Sequence, residues 1–238
     1  MSKIRSLYLE MLKNKYFNRF VFRIRFFYFV RVLKRIKVYD DQQNVIKNDY
    51  SLDMLKVGRT SDRPLKLIAP LAAIELVNKK GATLSIGSRY ETEIFYLIGH
   101  GFAKDKIVGL DILSYSPYID VGNMNNMQYT DSSFDNIIVG WVLPYSDDPK
   151  KAATEIIRVA KNGAYIAIGN SYYPKEKLIQ IEKESGFIIG SLEKRLQSSQ
   201  LILDLFEGHV EDVVFKCDPD RYEHGKDSSC LIIFKVKK

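Results

Sequence analysis

Ile4, Leu7, Tyr8, Met11 and Leu12 recur at i, i+3, i+4, i+7 and i+8, one face of a helix, so residues 3–15 are expected to form an amphipathic helix. From Phe20 to Ile36 two periods compete. Phe22, Ile24 and Phe26 alternate with Arg23 and Arg25 as in a strand, and a continuous apolar run follows; helix is the reading adopted. Residues 39–63 turn polar, with Asp40, Asp41, Gln42, Gln43 and Asn44 together and Gly58 to Pro64 rich in turn formers, which predicts a connector. The expected division is therefore 1–63, an arm and connector, and 64–238, the main domain. Leu65 to Val77 reads as a helix ending near Lys79, Lys80 and Gly81.

After Gly81 strand and helix patterns alternate, the mark of a parallel sheet with crossover helices. Strands are expected at Ala82–Gly87, Lys106–Asp111, near Ile119 and Val121, at Asn136–Val142 and at Ala164–Gly169. Helices are expected at Thr92–His100, Lys150–Ala160 and Lys175–Ser185, and Val210–Cys217 and Ser229–Val236 read as closing strands. The fold class is thus α/β: a Rossmann-like, mostly parallel sheet with an antiparallel closing strand, helices on both faces, and an N-terminal helical arm.

Charge divides the chain in the same place. Residues 1–39 hold eleven Lys and Arg against Glu10 alone, a net of +10, while the whole chain carries +7, so the remainder is at −3. A site for an anionic partner belongs to the arm. Arg23, Arg25 and Arg31 interrupt its most apolar stretch and make a membrane span costly. No signal peptide is evident, and two cysteines, Cys217 and Cys230, form no disulfide framework, which suits a reducing cytoplasm. His100, His209 and His224 are scattered, and no metal site is expected.

In an open parallel sheet ligands lie outside the carboxyl ends of the strands, here Gly87, Asp111 and Gly140. The first strand runs into a tight turn, Gly87 to Glu93, where a ligand approaches backbone amides at a helix N-terminus. Asp111 ends the second strand, where an acid accepts hydrogen bonds from the ribose of an adenosine-containing ligand. Capping its own turn is the alternative role.

The order of these motifs resembles the class I S-adenosylmethionine (SAM)-dependent methyltransferases over about residues 82–169. The matching stretches are Leu84–Gly87, Gly109–Asp111, Asn123 to Asp135 with its Asp131–Asp135 run, Trp141–Leu143, Asp147–Pro149 and Glu155–Val159. Ser85, Arg89 and Glu91 stand where the family carries an acid and two later glycines. A branch of bacterial methyltransferase-like proteins has a similar glycine-poor turn with Glu91 and Glu93.

The resemblance implies SAM as cofactor. Asp111 would bind the ribose, Ile112 flank the adenine, and Asn123 and the Met124 amide meet the adenine edge. Gly87 and Ser88 would line the methionine end, with Arg89 on its carboxylate and Gly140 at the fourth strand's end. A plain surface turn is the competing role for Asn123 and Met124, and core packing for Trp141. Tyr145 and Asp147, and Tyr172 or Tyr173, are the polar groups expected to face the acceptor, with Tyr145 and Asp147 as catalytic candidates.

The expected function is methyl transfer to a small molecule or glycan, an oxygen acceptor being preferred. The alternative is a non-catalytic scaffold or interaction protein that has lost SAM. A nicotinamide-dependent dehydrogenase is disfavoured because the dinucleotide-binding glycines are missing. For the arm, residues 1–39, basic residues interleaved with aromatics suit an anionic surface, the inner membrane face or a lipid-linked glycan, which places the protein in the cytoplasm and at the inner membrane face. The other options are packing on the domain or forming a homodimer arm. Nucleic acid is not an expected partner, since no nucleic-acid motif is present.

Overall fold

The computed structural model describes residues 3–39, 60–173, 196–218 and 228–238, with isolated positions at 52, 55, 58, 179, 180 and 183. Most of the expected helix at Lys175–Ser185 and most of the 39–63 connector lie outside them.

The arm forms two helices, α1 (Lys3–Lys13) and α2 (Lys15–Phe26), continued by a π-helical segment, Phe27–Val32. The break falls at Asn14, whose side chain accepts hydrogen bonds from the amides of Tyr16 and Phe17, as an N-cap does. Apolar spacing runs through this break without marking it. A two-residue strand β1 (Lys37–Val38) then pairs antiparallel with β4 (Leu113–Ser114).

The helix α3 (Leu65–Ala73) stops short of the expected end at Val77. Ile74 takes extended backbone, φ −73° and ψ 117°, and further on the Asn78 carbonyl accepts from the side-chain Nδ2 of the buried Asn136 at 2.9 Å. The remaining elements are β2 (Thr83–Ile86), α4 (Glu91–Gly99), β3 (Ile107–Asp111), β5 (Ile119–Val121), β6 (Phe134–Gly140), α5 (Pro149–Val159), β7 (Ala160–Tyr172), α6 (Ser199–Asp204), β8 (Val210–Cys217) and β9 (Ser228–Val236). The sequence pattern gave no sign of α6, a helix of only six residues capped by Ser198. β6 ends two residues before the expected Val142, because Trp141 adopts φ +56° and turns the chain away.

The seven-stranded sheet has the order β5-β3-β2-β6-β7-β9-β8. Its first five strands are parallel, and β9 and β8 close it antiparallel. Side chains alternate across the sheet. Ile137 and Val139 pack with Ala152 and Ile156 of α5, while Ile138 and Ala167 pack with Leu67 and Leu71 of α3 and with α4. Helices therefore cover both faces.

The arm joins the second of these clusters. Leu12 and Phe22 are fully buried in it, each stabilising by roughly 2 kcal/mol through removal from water. α1 crosses α4 at Gly99, where a Cβ would stand 3.0 Å from the Lys13 backbone nitrogen, a close approach that glycine accommodates without displacing α1. The buried Asn18 donates from Nδ2 to the carbonyls of Leu12 and Thr92.

Beside it, Arg25 makes a two-point ion pair with Glu91, Nε to Oε2 at 2.7 Å and Nη2 to Oε1 at 2.8 Å. Ser116 donates to Glu91 Oε1 at 2.5 Å. The guanidinium also lies 5.0 Å from the Phe29 ring centroid and 5.4 Å from that of Tyr118. Glu91 is fully buried and Arg25 is about one-third exposed. Removing one member of such a pair strands a buried charge. Arg25→Ala should therefore lower unfolding stability by about 3 kcal/mol, read from the urea midpoint at constant m-value. Arg23→Ala, exposed on the same helix, should stay within about 0.5 kcal/mol.

Candidate functional site

The carboxyl ends of β2, β3 and β6 meet at the turn Gly87–Tyr90. Gly87 has φ +84°, its amide donates to the Leu110 carbonyl at 2.7 Å, and the Arg89 amide donates back to Gly87 at 2.9 Å. A Cβ at Gly87 would lie 2.6 Å from the side chain of Val142, so positive φ and this contact both demand glycine. Ser88 is buried, donates to the Ser85 carbonyl, and packs on Gly109, where a Cβ would meet it at 3.1 Å.

α4 opens on two acids in its first turn, favourable beside the positive end of a helix. Two residues apart on a helix, they point to opposite sides. Glu91 turns to the arm. Glu93 turns to the sheet, where the Ser85 hydroxyl donates to its Oε1. A Cβ at Gly140 would stand 3.5 Å from Glu93 Oε1, so the carboxylate also lies against the end of β6. Burial pushes the Glu93 carboxyl up to about 7; the Ser85 bond opposes this and the charge of Asp111 adds to it.

Asp111 is buried at the end of β3, and Oδ1 accepts from the Leu113 amide at 3.1 Å. Burial raises its carboxyl above the ordinary value, and the nearby Arg89 charge and the Leu113 and Ile112 amides pull it back. The Gly122 amide donates to the Asp111 carbonyl at 3.0 Å, bringing the loop with Asn123 and Met124 against it.

Asn123 uses its side-chain oxygen on its own turn, accepting from the Asn125 amide at 2.9 Å, as in the surface-turn reading. Its amide nitrogen makes no bond among the described residues. Ile112 and Met124 are partly buried.

Gly87, Ser88, Arg89, Asp111, Ile112, Asn123 and Met124 thus share one end of the sheet, and Gly140 touches Glu93. Tyr145 and Asp147 stand at the surface after β6, Tyr145 being 39% exposed. Their loop is tied to the Asn123 loop by Ser146 Oγ donating to Asn125 Oδ1 at 2.7 Å.

Asp131 and Asp135, in the most specific of the resembling stretches, hold the scaffold. Arg158 of α5 binds Asp131 and Glu155 and donates to the Met127 and Tyr129 carbonyls, clamping the loop before β6. Asp135 accepts from Lys161 at 2.7 Å and from the Ala82 amide at 2.8 Å. Trp141 packs in the core cluster against Gly169, the core-packing role weighed for it.

Two residues escape the sequence reading of the site, Glu93 and Arg25. For Glu93 a signal existed: Ser85 occupies the family's acid position, and an acid reappears eight residues on, where helical phase turns it toward the strand. For Arg25 there was none. Its partner is 66 residues away in the chain.

Among the described residues no group of three His, Cys, Asp or Glu side chains could hold a metal ion. None of the described helices is long and apolar enough to cross a membrane.

Residues 101–168 match the family model described as Methyltransferase domain. A comparison with curated proteins gives no match. Among solved structures, a protein from Pyrococcus horikoshii OT3 superposes with a TM-score of 0.52 at 16% identity, covering 73% of this chain and 89% of that one. A proposed methyltransferase from Bacillus halodurans C-125 gives 0.52 at 14% identity, covering 72% and 99%. A proposed methyltransferase of Haloferax volcanii, solved in complex with the Trm112 methyltransferase activator, gives 0.50 at 17% identity, covering 80% and 97%. At these identities the likeness is one of fold. The chain therefore has the Rossmann-like fold of class I methyltransferases, with a Methyltransferase domain recognisable by sequence at residues 101–168.

Proposed function

We propose that this chain is a SAM-dependent methyltransferase acting on a small molecule or glycan, by preference at oxygen, in the cytoplasm and at the inner face of a membrane. The observation that carries the SAM reading is a pair of buried carboxyl groups around the Gly87 turn, Asp111 at the end of β3 and Glu93 on α4 against Ser85. Two carboxyl groups so placed suit a ligand with a diol at one end and an ammonium, which favours the ionised form of its partner, at the other, which is the chemistry of adenosine and methionine.

The residues fit such a group. Asp111 would accept from the ribose hydroxyls, with Ile112, Asn123 and Met124 at the adenine. Gly87 and Ser88 would line the methionine end, Glu93 beside Gly140 would hold the ammonium, and Arg89 the carboxylate. SAM supplies an electrophilic methyl group on a sulfonium. The protein's part is then orientation, which lowers the barrier by proximity, with Tyr145 and Asp147 at the rim to position the acceptor and take its proton.

A scaffold that has lost SAM is favoured by one observation, the Val142 side chain packed on Gly87. Calorimetry separates the two readings. The protein should bind SAM and S-adenosylhomocysteine, and Asp111→Asn should weaken binding by about 2 kcal/mol while remaining folded. Silence toward both ligands at millimolar concentration would leave the scaffold.

The pH dependence isolates Glu93. Between its ordinary value of 4.5 and about 7 its carboxyl is protonated in the folded protein and ionised in the unfolded chain. Its contribution to stability is therefore complete below about 4.5 and lost as the pH rises through 7. Unfolding curves across that range should show Glu93→Gln gaining on the natural protein by roughly 3 kcal/mol. A bound ammonium favours the ionised carboxylate, so SAM affinity should rise with pH over the same interval, and Glu93→Gln should flatten the rise. A steep profile retained by the variant would remove Glu93 from the site.

A further inference from the structure

The fold uses one side of the arm and leaves the other uncovered. Asn18, Phe22 and Arg25 face the domain. On the outer side of α2 and its continuation, Tyr16, Phe20, Ile24 and Phe27 are 70, 59, 55 and 62% exposed. Their spacing of four, four and three residues aligns them as one stripe, about 16 Å long at the helical rise. Monomeric proteins rarely leave such a stripe in water without a partner.

Charge identifies that partner. Of the arm's cations, Lys13 pairs with Glu10, Arg19 with Asp62 and Arg25 with Glu91. Arg23, Arg31, Lys34, Arg35 and Lys37 are exposed and make no ion pair among the described residues. The arm's only acid, Glu10, is already paired. Aromatic and aliphatic side chains on one face, bordered by unpaired cations, match the two layers of a lipid interface: an acyl boundary for the rings and anionic headgroups for the guanidinium and ammonium groups. A two-fold contact between copies of this face would instead set the same unpaired cations against each other.

We propose that the outer face of α2, centred on Phe20, Ile24 and Phe27, docks on an anionic lipid surface, with Arg23 and Arg31 at the headgroups. This rests on the peripheral placement proposed above and deepens it by naming the face. The stripe plays no part in the core, so docking leaves the arm's attachment to α4 intact. Attraction comes from both terms, and only the ionic one is screened by salt.

Vesicle flotation of the full chain tests the face. The natural protein should float with vesicles of equal parts phosphatidylglycerol and phosphatidylcholine at low salt and stay behind with phosphatidylcholine alone. Phe20→Ser with Phe27→Ser should lower its partitioning about tenfold or more, as loss of two buried rings requires. Arg23→Ser with Arg31→Ser should lower it and reduce its salt dependence. Both variants should keep the natural unfolding curve and SAM affinity, since none of the four side chains is buried.

If the protein floats and both variants float equally well, the membrane placement stands and this face is the wrong one. If the natural protein does not float, docking and placement fall together, whatever the SAM calorimetry reports. A dimer by light scattering that the Phe20→Ser, Phe27→Ser variant converts to monomer, without flotation, would assign the face to a second copy.

Discussion

A carboxylate kept ionised out of water needs compensation, and for Glu91 the compensating cation comes from outside the sheet. Glu91 is fully buried at the first turn of α4, and Arg25 reaches it from the arm with two hydrogen bonds. Ser116 also donates to Glu91, but the opposing charge is present only while the arm stays in place. Much else follows from that contact: Phe22 and Leu12 complete the second core cluster, Asn18 bonds the Thr92 carbonyl, and Gly99 admits α1.

The same helix turn also faces the ligand end of the sheet, which ties arm and site together. Glu91 and Glu93 belong to one turn of α4, and Tyr90 before them stacks edge-on against Phe22 and Phe26 of the arm. A turn rich in glycine has the freedom to approach a ligand closely. Here the turn is fixed from behind by aromatic packing and an ion pair, and its ligand-facing chemistry shifts to side chains, Glu93 held by Ser85 and Asp111 beside Arg89.

The sheet was readable because parallel strands buried on both faces leave long apolar runs with polar breaks, as at Phe134–Gly140 and Ile107–Asp111. Boundaries set by single residues were not. The break at Asn14 depends on one cap, α3 ends where Ile74 turns extended, and β6 ends on the backbone of Trp141. In the site, Asp111 could be picked out from its place at a strand end. Glu93 could not be told from Glu91 until helical phase and tertiary partners assigned one to the sheet and the other to the arm. The Asp131–Asp135 run illustrates the converse. It lies within the residues that match the Methyltransferase domain model and serves the scaffold, clamping the loop before β6.

The arm's anchors also separate the order of synthesis from the order of assembly. Asn18 bonds a residue 74 positions later and Arg25 one 66 positions later. Closing loops of that length is entropically costly and contributes to slow folding. The arm therefore precedes α4, on which it docks, by more than sixty residues of chain. Through that interval both of its faces, including Phe22 and Leu12, are open to water. Its apolar residues are thus made before the sheet that covers them, and the arm settles only after the elements it docks on have formed.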